Sequence, residues 1–355
     1  MADAESAPIL PWLAGPLRRA LETQTAHALL LHGPGGVGQF ELGILLAQGW
    51  LCESTTVPLG ERPCGTCASC RLVAAHSHPD LLVLLPEALR EALGWAAAES
   101  EEGSEEKAGK KKPSKDIRVE EVRAAIALAL TTSSRGRGKA IVIHPAERMN
   151  AIAANAFLKT LEEPAGAARF LLCSAAPDAL PATIRSRCQA IALALPATEV
   201  AVAWLRSQGV AEPEVLLAGC GGQPQDVLVL AQIGVDAAAW RAFPGRVAAG
   251  EVAALRGWPL PLAVDALQKL CHDAASLAAG AEPRYFATAS LPRRAADLAS
   301  LVRWSSALRT FARHAEHPWN AELSIESLVD QGREALQTPR SSQRGGRVDS
   351  LHLRR

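Results

Sequence analysis

Four cysteines, Cys52, Cys64, Cys67 and Cys70, fall within nineteen positions of this 355-residue chain. Thiolates are soft ligands that suit a tetrahedral ion, and a C-x2-C step with a small residue inside, here Gly65, lets one turn aim two sulfurs at one point. The spacing points to structural zinc, because four cysteine ligands leave no open position for water or substrate. An iron–sulfur cluster is the main rival. Its dense pattern runs on to a cysteine followed by proline, whereas Arg71-Leu72-Val73 follows Cys70. A chance gathering of free buried thiols is the remaining alternative. His76 and His78 are near enough to be spare ligands, but "SHPD" reads better as the turn before a strand at Leu81. The other cysteines, Cys173, Cys188, Cys220 and Cys271, are scattered, and the opening Met1 to Pro8 has no export-signal pattern. An unexported, cytoplasmic protein with buried thiols and no disulfides is therefore expected.

The second group is the loop "HGPGGVGQF", residues 32–40, between an aliphatic run and a helical pattern from Glu41 to Leu51. Gly33 and Gly38 fit the phosphate-loop template G-x-x-x-x-G-K-[ST], but Gln39 and Phe40 replace its last two residues. In a working loop the lysine reaches the outer phosphates and the hydroxyl helps hold magnesium. A glutamine has no charge and a phenylalanine no hydroxyl. The strand Ala140-Ile141-Val142-Ile143 poses the same question, since ATPases of this architecture end it with an aspartate for magnesium and a glutamate for water. Here His144 and Pro145 stand there, and Glu147 falls in the turn beyond. With both places altered, no ATP is expected in this chain's own site.

The elements that must position these groups alternate strand with helix, the pattern of a parallel sheet flanked by helices. Strands are predicted at Leu29–His32, Asp80–Leu85, Ala140–His144, Phe170–Ser174 and Ala190–Leu195. One helix presents Val119, Val122, Ile126 and Leu130, and another Ala154, Phe157, Leu158 and Leu161 before Pro164 stops it. Residues 99–116 carry almost no apolar side chain and read as a mobile surface insertion, with a partner-binding arm as the alternative. After residue 195 helices dominate. A small helical domain is expected over 196–235, a further helical region over 236–337, and a disordered basic tail over 338–355. Formal net charge is zero, which excludes a surface built wholly to coat nucleic acid, and no apolar run reaches membrane-spanning length.

"HALLLHGPGGVG", the cysteine cluster, "HPDLLVLLP", "NAFLKTLEEP" and "TIRSRCQAI" occur in that order. Together they resemble the delta-prime family of bacterial DNA polymerase III clamp-loader subunits, within the AAA+ superfamily. "HPWNAELSIESL" is more weakly similar to the family's last collar helices. The resemblance implies an α/β core of the AAA+ P-loop type over 1–195 with an inserted zinc module, a lid and an all-α collar. It also gives a role to Ser186-Arg187-Cys188, whose arginine would reach as a finger into a neighbour's ATP site. Arg185 is the nearby competitor, and the plain alternative is that Arg187 pairs with a surface carboxylate. An active sister of the gamma/tau kind would place a nucleotide-sensing arginine at Gln225. The resemblance implies a hetero-pentamer with gamma/tau and delta, acting on the sliding clamp and primed DNA, in which this chain hydrolyses no ATP. A gamma/tau-like ATPase and a stand-alone zinc-dependent nucleic-acid-binding module are the rival readings.

Overall fold

The computed structural model describes residues 9–95, 113–163, 166–292, 296–314 and 320–337. Most of the expected insertion, the stop at Pro164 and the basic tail lie outside them. The chain divides into two compact units, Met1–Val200 and Ala201–Arg355.

In the first unit, α1 (Ala14–Thr23) precedes β1 (Ala28–His32), α2 (Gln39–Leu51) and α3 (Ala68–Ala74). Then come β2 (Leu81–Leu84), α4 (Glu87–Arg90), α5 (Val119–Leu130), β3 (Lys139–Ile143) and α6 (Ala151–Glu162). The unit closes with β4 (Ala168–Ser174), α7 (Ala182–Arg185) and β5 (Gln189–Ala192), after which α8 (Thr198–Ser207) leads on. All five strands are parallel, in the order β2-β3-β4-β1-β5. Central strands of such a sheet are buried on both faces, which is why β1, β3 and β4 carry continuous apolar runs, Ala28–Leu31, Ala140–Ile143 and Phe170–Cys173.

Successive residues of a strand face opposite sides. On β4, Phe170 and Leu172 join α5 and α6 in one core, where Phe157 and Phe170 meet edge to face at 5.0 Å. Leu171 and Cys173 point the other way, towards α2. There the backbone of Gly43 comes so close that a Cβ would lie 2.7 Å from the Cys173 sulfur. Each strand expected in this half is present within a few residues. On α5 the expected Val122 is buried and Val119 and Ile126 pack against the same core, joined by the buried Ala125 and Ala129, while the expected Leu130 is 68% exposed. Alanines count little in a hydrophobicity pattern, so their share of this face does not stand out in the sequence.

The second unit is helical, with α9 (Pro213–Gly219), α10 (Pro224–Gln232), α11 (Ala237–Ala248), α12 (Leu260–Ala278), α13 (Leu298–His314) and α14 (Ala321–Gln337). Residues expected as lid and as collar contribute to one hydrophobic cluster reaching from Ala201 to Leu336. Buried Trp304 donates its indole N–H to the Leu328 carbonyl at 3.1 Å, and the Asp273 carboxylate accepts the N–H groups of Arg284, Tyr285 and Phe286.

Candidate functional site

The four cysteines converge. Cys52 follows the end of α2, Cys64 and Gly65 form the turn, and Cys67 caps α3, which carries Cys70. Their sulfurs all lie within 4.8 Å of one another, with Cys64 and Cys70 at 3.8 Å and Cys52 and Cys67 at 4.0 Å. Tetrahedral metal–sulfur bonds of about 2.3 Å imply sulfur–sulfur edges of about 3.8 Å, so the set fits one tetrahedral ion. The turn is shaped for anionic sulfur. The Cys67 amide donates to the Cys64 sulfur and the Cys70 amide to the Cys67 sulfur, both at 3.4 Å. At Cys64 burial works against ionisation, but the amides of Cys67 and Thr66 outweigh it and lower the thiol to about 6. Burial raises Cys52 and Cys70.

His78 is not aimed at the cluster. It bonds the Ser69 hydroxyl and accepts the Asp80 amide, each at 3.0 Å, as expected of a turn residue. A tie that pattern reading missed joins the module to the sheet: Arg135 donates to Glu53 at 2.7 Å and to Ser69 at 3.0 Å. Asp80 orders that arginine's loop by accepting the amides of Ser134 and Arg135 and the Lys139 ammonium. These residues are far apart in the chain, and only their charges hinted at the arrangement.

The glycine loop keeps its shape. Gly38 adopts φ 96°, and a Cβ at Gly33 would lie 2.3 Å from the Leu193 carbonyl oxygen. Here α2 begins at Gln39, two residues before the expected Glu41. Gln39 is 5% exposed and turns its amide back to the loop, donating to the carbonyls of Gly33 at 2.9 Å and Pro34 at 2.5 Å. Trp12 closes the outside by donating to the Val37 carbonyl at 2.8 Å.

Phe40 and His144, the replacements at the two loci, touch. Their rings stack with centroids 4.9 Å apart, and Trp95 meets Phe40 edge-on at 6.4 Å. Burial, opposed by the Glu147 charge and a backbone hydrogen bond at Cys173, pushes His144 down to about 4, so the ring is neutral near pH 7. A neutral imidazole stacked on a phenyl ring thus fills the meeting point of loop and strand end. Pro145 follows His144, and Glu147 lies in the next turn, Ala146–Arg148, accepting the Ala175 amide at 3.1 Å.

Arg187 lies elsewhere, between α7 and β5. It donates through Nε to Glu162 at 2.8 Å and through a terminal nitrogen to the Thr183 carbonyl at 2.8 Å, with its side chain 33% exposed. Glu162 ends α6, and its pairing with Arg187 is the plain alternative weighed above. Ser186 caps α7, Arg185 pairs with Asp178 at 2.6 Å, and burial raises the Cys188 thiol to about 12. Cys173, Cys220 and Cys271 are buried free thiols. Gln225 sits in the first turn of α10 in the second unit.

A family profile described as "DNA polymerase III, delta subunit" matches residues 14–197, just over half of the chain. The DNA polymerase III subunit delta' of Pseudomonas aeruginosa is 39% identical over 205 residues, covering 57% of this chain and 54% of that one. The Escherichia coli K12 protein of the same name is 31% identical over 229 residues, or 62% and 60% of the two chains. A DNA polymerase III subunit tau, from Salmonella typhimurium, is 32% identical over 162 residues, 46% of this chain and 21% of that one. The chain spans about half the length of the curated relatives it matches. Among solved structures, a gamma subunit-related protein of Thermotoga maritima superposes with a TM-score of 0.47 at 16% identity, over 91% of this chain and 99% of that one.

Proposed function

Because the chain belongs to the DNA polymerase III delta-subunit family, we propose that it is a delta-prime-type clamp-loader subunit that hydrolyses no ATP itself and acts as the stationary arm of the loader. The Phe40–His144 stack carries this reading. Magnesium needs oxygen ligands where a phosphate-loop hydroxyl and a strand-end carboxylate converge, and two rings in contact offer none. Gln39, spent on its own loop, has no positive charge for an outer phosphate. The rival reading as a gamma/tau-like ATPase has the tau relatives in its favour and this filled cleft against it.

In this proposal the chain's contribution to hydrolysis is Arg187, delivered to the ATP site of a gamma/tau neighbour. Its bond to Glu162 is compatible with that role. An ion pair at a partly exposed surface is worth about 0–1 kcal/mol, so phosphoryl oxygens readily displace the carboxylate. A guanidinium supplied in trans neutralises charge spreading over the transferred phosphoryl group, an effect worth about 10³ to 10⁵ in rate in related NTPases. The cysteine module holds zinc, which cross-links the chain from α2 to α3 and has no catalytic part. Assembly with gamma/tau and delta through the collar, action on the sliding clamp and primed DNA, and a place in the bacterial cytoplasm at the replisome complete the proposal.

The experiment is reconstitution with gamma/tau and delta. Arg187→Ala is expected to leave assembly intact and to lower DNA-stimulated ATP hydrolysis at least about tenfold, a fraction of the finger effect. Unchanged hydrolysis overturns the finger, and ATP turnover by the isolated chain overturns the non-hydrolysing role.

A further inference from the structure

The glycine loop lies at the C-terminal end of β1. At the opposite edge, where β1, β3 and β4 begin, the first unit has a cleft of about 630 Å³. Trp50 and Leu51 at the end of α2 form one wall, and the segments 136–140 and 166–169 form the other. Its volume is that of a small-molecule site.

The charge in this cleft is uncompensated. Arg62, Arg137 and Arg169 line it, and none meets a carboxylate among the described residues. Arg62 donates only to the carbonyls of Ser54 at 2.6 Å and Val57 at 3.3 Å, which leave its charge in place. Arg169 sits over the Trp50 ring, with its guanidinium carbon 4.7 Å from the centroid. Lys139 is answered by Asp80 at 3.2 Å, and Glu22 is the one acid in the lining.

Arg169 is the unusual member. As the second residue of β4 it is the polar start of the face that continues with Leu171 and Cys173 towards α2. Partial burial lowers its pKa, with no opposing charge to raise it. A guanidinium withdrawn from water without a partner is costly, and chains rarely keep one unless something else supplies the anion. Two further groups are left over in the same lining: the indole N–H of Trp50 and the side-chain oxygen of Gln24 are buried without hydrogen-bond partners. Gly136 and Gly166 on the rim have open space where a side chain would stand.

We propose that this cleft binds a compact polyphosphate anion, a pyrophosphate group either free or carried by a nucleotide, on Arg169, Arg62 and Arg137. The planar fork of an arginine matches two phosphate oxygens at once, and three guanidiniums against one carboxylate favour a multiply charged ligand over a single carboxylate. Trp50 holds the Arg169 guanidinium in place by a cation–π contact and so limits the ordering that binding requires. The site is independent of the loader role and separate from the filled glycine loop.

Calorimetric titration of the full chain with inorganic pyrophosphate, and separately with ATP, tests the site at low ionic strength. One-to-one binding is expected, with a dissociation constant of about 10–100 μM. Arg169→Gln is expected to raise that constant at least about tenfold and Arg137→Gln, at the exposed rim, about threefold. Equal affinities for the two probes identify the pyrophosphate group alone as the ligand, and tighter ATP binding identifies a nucleotide. Both support the site. Failure of both probes to saturate at millimolar concentration overturns it, as does binding that Arg169→Gln leaves unchanged, since that ligand sits elsewhere. If Arg169→Gln does not fold, by circular dichroism, Arg169→Lys replaces it. That variant keeps the charge and loses the fork, and an unchanged affinity there is equally fatal.

Discussion

Two turns in the first unit start from similar material and end differently. At the glycine loop and at the cysteine module, a glycine at positive φ, Gly38 at 96° and Gly65 at 73°, stands shortly before a helix whose first residues gather around a common point. At the module the gathered groups are four sulfurs placed so that they could hold one metal ion, with amides aimed at two of them. At the loop they are a neutral amide folded back on its own carbonyls and a phenyl ring stacked on an imidazole. The backbone sets the shape of a site, and the side chains decide whether that shape holds a ligand or a plug.

The module should be the more fragile of the two. Structural zinc contributes about 10 kcal/mol or more to small domains that depend on it, so its removal should have the largest effect here. Cys64→Ser with Cys67→Ser is expected to release one metal ion per chain and to lower the melting temperature of the first unit steeply. Metal analysis and thermal unfolding check both, and an unmetallated parent protein would dissolve the contrast between the two turns. At the loop, Phe40→Ala is expected to cost about 3–5 kcal/mol, the usual result of emptying a packed aromatic position. A loss under about 1 kcal/mol in urea unfolding would mean that the ring is incidental and the cleft open.

His144 makes the plug sensitive to acid. Unfolded, the imidazole protonates near 6.5; folded, it resists until about 4. Between those values the unfolded chain binds the extra proton. Stability from this group is therefore complete above about pH 6.5 and falls as pH drops to 4, by up to about 3 kcal/mol. His144→Phe, which fills the same space without a titrating group, should flatten that part of the pH–stability curve, and an unaltered slope would place its origin in other groups. The smallest effect belongs to Arg187→Ala in the isolated chain. Loss of the half-exposed pair with Glu162 should change stability by about 1 kcal/mol or less. A larger loss would make Arg187 a structural residue and weaken its proposed use in a neighbour's site.

Much of the first unit was legible in advance because it is written in short-range patterns. Aliphatic runs marked each strand to within a few residues, and the C-x2-C steps marked the cysteine cluster. The share of alanine in the face of α5 was not legible. Val119, Val122 and Ile126 pack on the core as expected, but Ala125 and Ala129 are buried beside them and Leu130 is exposed, and a search for large apolar residues passes over such alanines. The replacement of Gln39, Phe40, His144 and Pro145 could be read from the chain as a loss of chemistry. That Phe40 and His144 fill the vacated point together could not.

The sequence by itself thus determined which groups exist and, within a few residues, where the strands of the first unit lie, because local periodicity, turn residues and ligand spacing act over a few residues. Only the tertiary structure decided which of those groups meet. Strand order β2-β3-β4-β1-β5 brings the loop after β1 and the end of β3 to either side of β4, so Phe40 reaches His144. The same order brings the starts of β1, β3 and β4 together and leaves Arg169 on Trp50 without an ion pair among the described residues. Contacts of this kind depend on the register and order of strands distant in sequence, which burial of the whole sheet selects and no single segment specifies.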